Sequence, residues 1–247
     1  MNSFEGKNIV ITGAGSGIGA ALVGIAVQAG ASAWGLDISD SAHEVVTEKG
    51  GQYHRCDVSN ESDWQSISDE VAESLGNVDY LFLNAGIQTA PSKAPLSDYR
   101  FEAFDTDRYR RLLGVNIDGV VFGLHYLSPH LREGSSIVVT GSLAGVVPYE
   151  IDPLYAMTKH AVTGLVRSVA AEMAEKGLRI NALCPGGIDT GIIPEAQRVE
   201  GAVFMSPEHV AEEVMHLFQV EENGSTWAKV SSSKPMWIMS PPGRKRS

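Results

Sequence analysis

Ile9-Val10-Ile11-Thr12-Gly13-Ala14-Gly15-Ser16-Gly17-Ile18-Gly19 is the stretch that decides the fold. Its first four residues are all β-branched and read as a short buried strand, and from Ala20 to Gln28 the spacing is helical. Glycines crowd the turn between them. A pyrophosphate can approach a backbone closely only where side chains are absent, and it gains from the unpaired amides at a helix start. Gly13, Ser16, Gly17 and Ile18 are therefore candidate phosphate contacts. A second apolar run, residues 32–36, leads into Asp37, whose carboxylate can accept from both hydroxyls of an adenosine ribose. The same carboxylate would repel a 2′-phosphate, and Ala14, Ser16, Ile38 and Ser39 offer no cation in its place. These residues predict NAD as cofactor, with NADP disfavoured.

Outward from this turn the pattern repeats. Apolar runs at residues 80–83, 137–140 and 180–183, with weaker ones at 52–56 and 226–230, alternate with helical spacings. Trp64, Ile67, Val71 and Leu75 show such a spacing, as do Val162, Leu165, Val166, Val169 and Met173. Strands alternating with helices imply crossover connections and a parallel sheet covered on both faces. The expectation is a single α/β domain over residues 1–247: a doubly wound parallel sheet of about seven strands with helices on both faces. Residues 88–106 read as a loop before a helix that starts near Thr106, and this somewhat long connection is expected to shape the pocket or a subunit contact. Residues 231–247 read as a Pro- and Ser-containing tail whose Arg244, Lys245 and Arg246 form a solvated end.

Composition closes off several classes of function. The chain has 247 residues, 30 acidic and 19 basic, for a formal charge of −11. That balance excludes a nucleic-acid backbone as the main partner, because phosphate contacts need clustered Lys and Arg. With 43% apolar and 20% charged residues the chain has ample material for a core. Residues 8–36 carry no charge, but their seven glycines make a poor spanning helix, and no membrane span is expected. The opening MNSFEGKNIV lacks the order of a secretory leader, and Cys56 and Cys184 form no CxxC pair. A reduced, cytoplasmic protein with inert thiols is expected. His125, His130 and His160 lack metal-ligand spacing with acidic partners, and no metal is expected.

Tyr155-Ala156-Met157-Thr158-Lys159 opens a further helical stretch, so phenol and ammonium share one face. A nearby cation favours the phenolate, and lowering the tyrosine pKa by about 2–3 units corresponds to roughly 3–4 kcal/mol. Such a pair is common on helix surfaces, and its company gives it meaning. Ser142 follows the run at 137–140, Asn116 lies in Val115-Asn116-Ile117, and Asn84-Ala85-Gly86 ends the run at 80–83. With the glycine turn, and in this order, these motifs resemble the short-chain dehydrogenase/reductase family over roughly residues 5–230.

The resemblance implies a Rossmann fold and a set of roles. Tyr155 would be the general acid/base for hydride transfer between a secondary alcohol and a ketone. Lys159 would lower its pKa and bind the nicotinamide ribose, Ser142 would hold the substrate oxygen, and Asn116 would anchor a water linking Lys159 to solvent. By position, Asp57 and Val58 would contact adenine, and Asn84, Ala85 and Gly86 would border the cofactor. Pro185, Gly186, Ile188 and Thr190 would lie beside the nicotinamide. A homodimer or homotetramer is implied as well, although Asn223-Gly224-Ser225-Thr226-Trp227 lacks the usual closing Asp-Gly-Gly near a standard tetramer contact. The segment from Thr190 to Ser206 is short, which suggests an open cleft. Leu143, Ala144, Val146, Val147, Pro148, Tyr149 and Ile188 suit a hydrophobic alcohol or ketone and include no cation for a substrate carboxylate. A 3-oxoacyl reductase, a cis-diol dehydrogenase and a non-catalytic dinucleotide-sensing protein are the alternatives.

Overall fold

The computed structural model describes residues 4–240, so Arg244, Lys245 and Arg246 lie outside the described residues. The chain forms β1 (Asn8–Thr12), α1 (Gly17–Gln28), β2 (Ser32–Asp37), α2 (Ala42–Glu48), β3 (Gln52–Arg55), α3 (Glu61–Glu70) and β4 (Val78–Leu83). It continues with α4 (Thr106–Leu113), α5 (Gly119–Leu127), β5 (Leu131–Thr140), α6 (Pro153–Glu175) and β6 (Arg179–Pro185). The last elements are α7 (Pro207–Leu217), β7 (Thr226–Lys229) and β8 (Trp237–Met239). Among the described residues all strands join one sheet in the order β3-β2-β1-β4-β5-β6-β7-β8.

The doubly wound Rossmann arrangement is as expected, with one correction. Seven strands are parallel, and an eighth, β8, pairs antiparallel with β7, placing Thr226 opposite Met239 and Trp227 opposite Ile238. The expected tail therefore contains a strand. The turn before it is held by Lys229, whose buried ammonium pairs with Glu213 of α7 and donates to the Lys234 carbonyl (2.9 Å).

Successive residues of the central strands bury opposite faces. Ile9, Ile11, Phe82, Val138 and Leu183 pack with α1 and α7; Val10, Leu81, Leu83, Ile137 and Val139 pack with α3, α5 and α6. This explains why the strand runs are apolar at almost every position instead of alternately. Leu22, Trp64, Val166 and Val214 are fully buried beneath their helices, and burying such a side chain stabilises by about 1.5–3 kcal/mol.

The helix expected from residue 106 is a rod with a bulge. α4 and α5 are joined by a single π-helical turn, Gly114–Asp118, which carries Asn116. Among the described residues no helix is long and apolar enough to cross a membrane. Cys56 and Cys184 are free and buried. Burial pushes their thiols up to about 12 and about 11, which leaves them protonated and unreactive.

Candidate active site

β1 and β4 are neighbours at the point where strand order reverses, so a crevice opens beyond their carboxyl ends. Thr12 ties it together. Its hydroxyl accepts from the amides of Asn84 (2.8 Å) and Ala85 (3.0 Å), and Asn84 Nδ2 donates to its carbonyl (3.0 Å). The Thr140 hydroxyl donates to Asn84 Oδ1 (3.1 Å), which brings the end of β5 into the same frame. Gly13 is required twice over: its φ is +67°, and a Cβ there would stand 3.0 Å from Ala85 Cα. A Cβ on Gly19 would collide with the Gly13 carbonyl, so α1 starts flush against the turn.

Gly13, Ser16, Gly17 and Ile18 line the resulting cleft together with Asn84, Ala85 and Gly86. Asp37 lines it at the end of β2, with Oδ2 accepting from Gly15 N and Oδ1 from Ser39 N, both at 2.9 Å. Arg55, opposite Asp37 on β3, turns to Asp40 (3.5 Å). Asp57 and Val58 also line the cleft. Asp57 Oδ1 accepts from the Ser59 amide (3.0 Å) and hydroxyl (2.7 Å), while the cap of α3 is Asn60. After β6, Pro185, Gly186, Ile188 and Thr190 complete this side, and Gly187 and Asp189 pair through their backbones with Met205. The Thr190 hydroxyl is buried without a hydrogen-bond partner. A dinucleotide fits this donor set: a turn bare of side chains, a carboxylate fixed by backbone amides, and an orphaned hydroxyl.

The residues expected to handle protons assemble beside this cradle. Asp152 caps α6 by accepting from Tyr155 N (3.0 Å), and Pro153 takes the first helical position. Tyr155 and Lys159, one turn apart, both line the cleft, as does Ser142 beyond β5. The Tyr155 hydroxyl lies beside Ser142, whose Oγ accepts from Ala144 N (3.1 Å). Lys159 Nζ lies 5.7 Å from the centre of the Tyr155 ring and donates to the Thr140 carbonyl (2.8 Å).

The expected lowering of the Tyr155 pKa by Lys159 is not what this geometry produces. Burial pushes the phenol well above its ordinary range, offset only in part by the nearby Ser142 hydroxyl. Burial also draws Lys159 down to about 8. The ammonium lies over the ring and donates to a carbonyl, so desolvation outweighs its field at the phenolic oxygen.

Asn116 does not line the cleft with the other three. It is 1% exposed, with Oδ1 accepting from Ile87 N (2.9 Å) and Nδ2 donating to the Ile87 carbonyl (2.9 Å) and Thr158 Oγ1 (3.0 Å). The amide thus splints the loop after β4 to α6. The π turn is what rotates it there, and such bulges recur at functional sites. A Cβ on Gly86 would sit 3.5 Å from Asn116 Oδ1 and 3.3 Å from Lys159 Nζ. The two polar atoms therefore border one small space.

The cleft measures about 1040 Å³. Leu143, Ala144, Val147, Tyr149 and Ile188 line it as expected, whereas Val146 and Pro148 do not. The short segment after Thr190 forms one wall of the cleft. Ile192 and Gln197 line the cleft, Gln197 Nε2 donates to Tyr149 Oη (2.8 Å), and Glu195 N donates to the Ser92 carbonyl (2.8 Å). Residues 88–92 of the loop expected to shape the pocket line the cleft, whereas sequence reasoning misses Gln197, Arg108 and Arg111 as lining residues. For the arginines a signal was available: Arg108, Arg111 and Val115 recur at helical spacing just before Asn116. For Gln197 there was none, since long-range loop contacts bring it in.

Comparison with known proteins agrees with this geometry. The family described as short chain dehydrogenase matches residues 7–200. A 2,5-dichloro-2,5-cyclohexadiene-1,4-diol dehydrogenase of Sphingobium indicum is 37% identical over 202 residues, 79% of this chain and 78% of its own. A cyclohexanol dehydrogenase of an Acinetobacter species is 33% identical, over 81% and 80% respectively. Among solved structures, a 3-ketoacyl-(acyl-carrier-protein) reductase from Brucella melitensis complexed with NADH superposes with a TM-score of 0.82 at 26% identity, covering 92% of this chain and 98% of that one.

Proposed function

The chain belongs to the short-chain dehydrogenase family and is an oxidoreductase of CH–OH groups, and from that premise we propose that it interconverts a hydrophobic secondary alcohol and its ketone with NAD as hydride carrier. The observation that carries the reading is the meeting of Ser142, Tyr155 and Lys159 in the cleft that also holds the glycine turn and Asp37. In oxidation, Ser142 holds the substrate oxygen beside the phenol and Tyr155 takes the hydroxyl proton. The C–H bond gives up a hydride as C–O becomes C=O, and reduction is the reverse. A bound nicotinamide supplies the two-electron partner and, when oxidised, a positive charge. Lys159, drawn down to about 8, can exchange a proton near neutral pH. The small space shared by its Nζ, Asn116 Oδ1 and Gly86 suits a water that relays the Tyr155 proton outward.

Asp37 supports NAD over NADP, since both carboxylate oxygens are held in place and Arg55 turns to Asp40. Apolar walls at Leu143, Val147, Ile188 and Ile192, and two relatives named for six-membered-ring alcohols, support a cyclic substrate. A shallow groove between α5 and α6, lined by Val121, Leu165 and Val169, supports a homodimer. The covered edge of β7 speaks against a tetramer built from that edge. Free, buried cysteines suit a cytoplasmic setting.

The test is Tyr155→Phe assayed by NADH absorbance with cyclohexanol. Turnover should fall about 10²–10⁴-fold, the usual contribution of a general acid/base, while NAD binding by fluorescence titration persists. Turnover unchanged by the substitution would refute the role of Tyr155. A wild-type protein that binds NAD but oxidises no alcohol would be the non-catalytic dinucleotide sensor. Equal or tighter binding of NADP would overturn the cofactor choice.

A further inference from the structure

Arg198 does not line the cleft, yet its guanidinium grips the strip of chain that follows β6. Nη1 donates to Asp189 Oδ1 (2.5 Å) and Nη2 to the Thr190 carbonyl (2.7 Å), while Cζ lies 5.6 Å from the centre of the Phe204 ring. Phe204 can stand there because Gly187 has no Cβ, which would lie 2.8 Å from the ring. The strip is pinned at its start by backbone bonds, from Met205 N to the Gly187 carbonyl (3.0 Å) and from Asp189 N to the Met205 carbonyl (2.8 Å). At its end the Thr190 carbonyl also receives Ile193 N, at a longer 3.3 Å. Thr190 packs on the glycine turn, since a Cβ on Gly17 would come within 2.9 Å of its Cγ2, and its buried hydroxyl is the one without a partner.

The guanidinium does not hang from a loose loop. Gln197, the residue before it, donates to Tyr149 across the cleft, and Glu195 N donates to the Ser92 carbonyl (2.8 Å). The charge pair alone would hold little, because the Asp189 side chain is 62% exposed. The planar fork makes the difference, for it reaches a carboxylate and a backbone carbonyl at once, with an aromatic ring beneath it. We propose that Arg198 is a positioning residue for the cofactor, holding Ile188 and Thr190 where they meet the nicotinamide. The inference rests on the dinucleotide reading and adds to it a residue that touches neither cofactor nor substrate. Contacts arranged in advance need no ordering on binding, so a loosened strip should weaken only the part of the ligand that meets it.

The experiment measures Kd by isothermal titration calorimetry for NADH and for ADP-ribose, which lacks the nicotinamide ring, in the wild type, Arg198→Met and Arg198→Lys. Arg198→Met keeps much of the stem and removes the fork. It should raise Kd for NADH about fivefold or more, the scale of one hydrogen bond left unmade, and leave that for ADP-ribose within about twofold. Arg198→Lys keeps the charge without the planar fork and should recover part of the loss. A role in general stability would weaken both ligands alike, so an equal rise for the two, or none for NADH, overturns the proposal. Wild-type protein that binds neither ligand overturns the dinucleotide reading itself. Should Arg198→Met fail to fold, Arg198→Lys must still weaken NADH more than ADP-ribose.

Discussion

Asp152 ties one wall of the cleft to the helix that carries Tyr155. Its carboxylate is fully buried and accepts three hydrogen bonds: Oδ1 from Tyr155 N (3.0 Å) and from the Thr89 hydroxyl (2.6 Å), and Oδ2 from Thr89 N (2.9 Å). Asp152→Ala removes a helix cap worth about 0.5–2 kcal/mol. It also leaves a buried amide and hydroxyl unsatisfied, at about 1–3 kcal/mol each. Water entering the vacated space recovers part of this, so a net loss of about 3 kcal/mol is expected. With a urea m-value of about 3 kcal/mol/M, the unfolding midpoint should drop by about 1 M. The damage is local to the start of α6, so kcat should fall in the folded variant by more than KM rises. Asp152→Asn should be intermediate, because one oxygen remains for Tyr155 N while its amide nitrogen opposes Thr89 N. An alanine variant that unfolds at the wild-type midpoint and keeps wild-type kcat would refute the reasoning.

Gly86→Ala should place a methyl in the space between Lys159 Nζ and Asn116 Oδ1 and lower kcat about tenfold with little change in NAD binding; steady-state assay beside a fluorescence titration reads both. Burial holds Tyr155 protonated, so kcat/KM for oxidation should climb from about pH 6 to about pH 9, where a base is needed, while ketone reduction should show no such climb. An oxidation profile that falls over that range would contradict the proton role. Asp37→Ser should weaken NAD by about tenfold or more, as expected for lost hydrogen bonds to a charged group, and narrow its advantage over NADP; binding titrations with both nucleotides decide.

Much of this molecule was legible before any coordinates because its strands are buried on both faces. Ile9, Val10 and Ile11 must all be apolar when consecutive side chains enter opposite cores, and that leaves a plain mark in the sequence. The glycine turn was legible for a related reason, since its conformation and close approaches tolerate no side chain. β8 was hidden because three residues flanked by Ser, Lys and Pro have no pattern of their own until β7 offers them a partner. The bulge at Asn116 was hidden because one π turn leaves the hydrophobic spacing on either side nearly unchanged. Gln197 meets Tyr149 through contacts between distant loops, which periodicity does not record. The direction of the Tyr155 pKa was misjudged because charge can be read from neighbours in sequence, whereas desolvation depends on the whole surrounding fold.

The returning hairpin at the carboxyl side carries a consequence for handling the protein. Shortening the chain to end at residue 230 would bare the outer N–H and C=O groups of β7 and release Lys229 from one of its two partners. A naked strand of this kind is a template for another molecule. Trimming there should cause self-association and precipitation while the distant catalytic groups stay intact, so colloidal behaviour, and not turnover, is what this corner of the sheet protects.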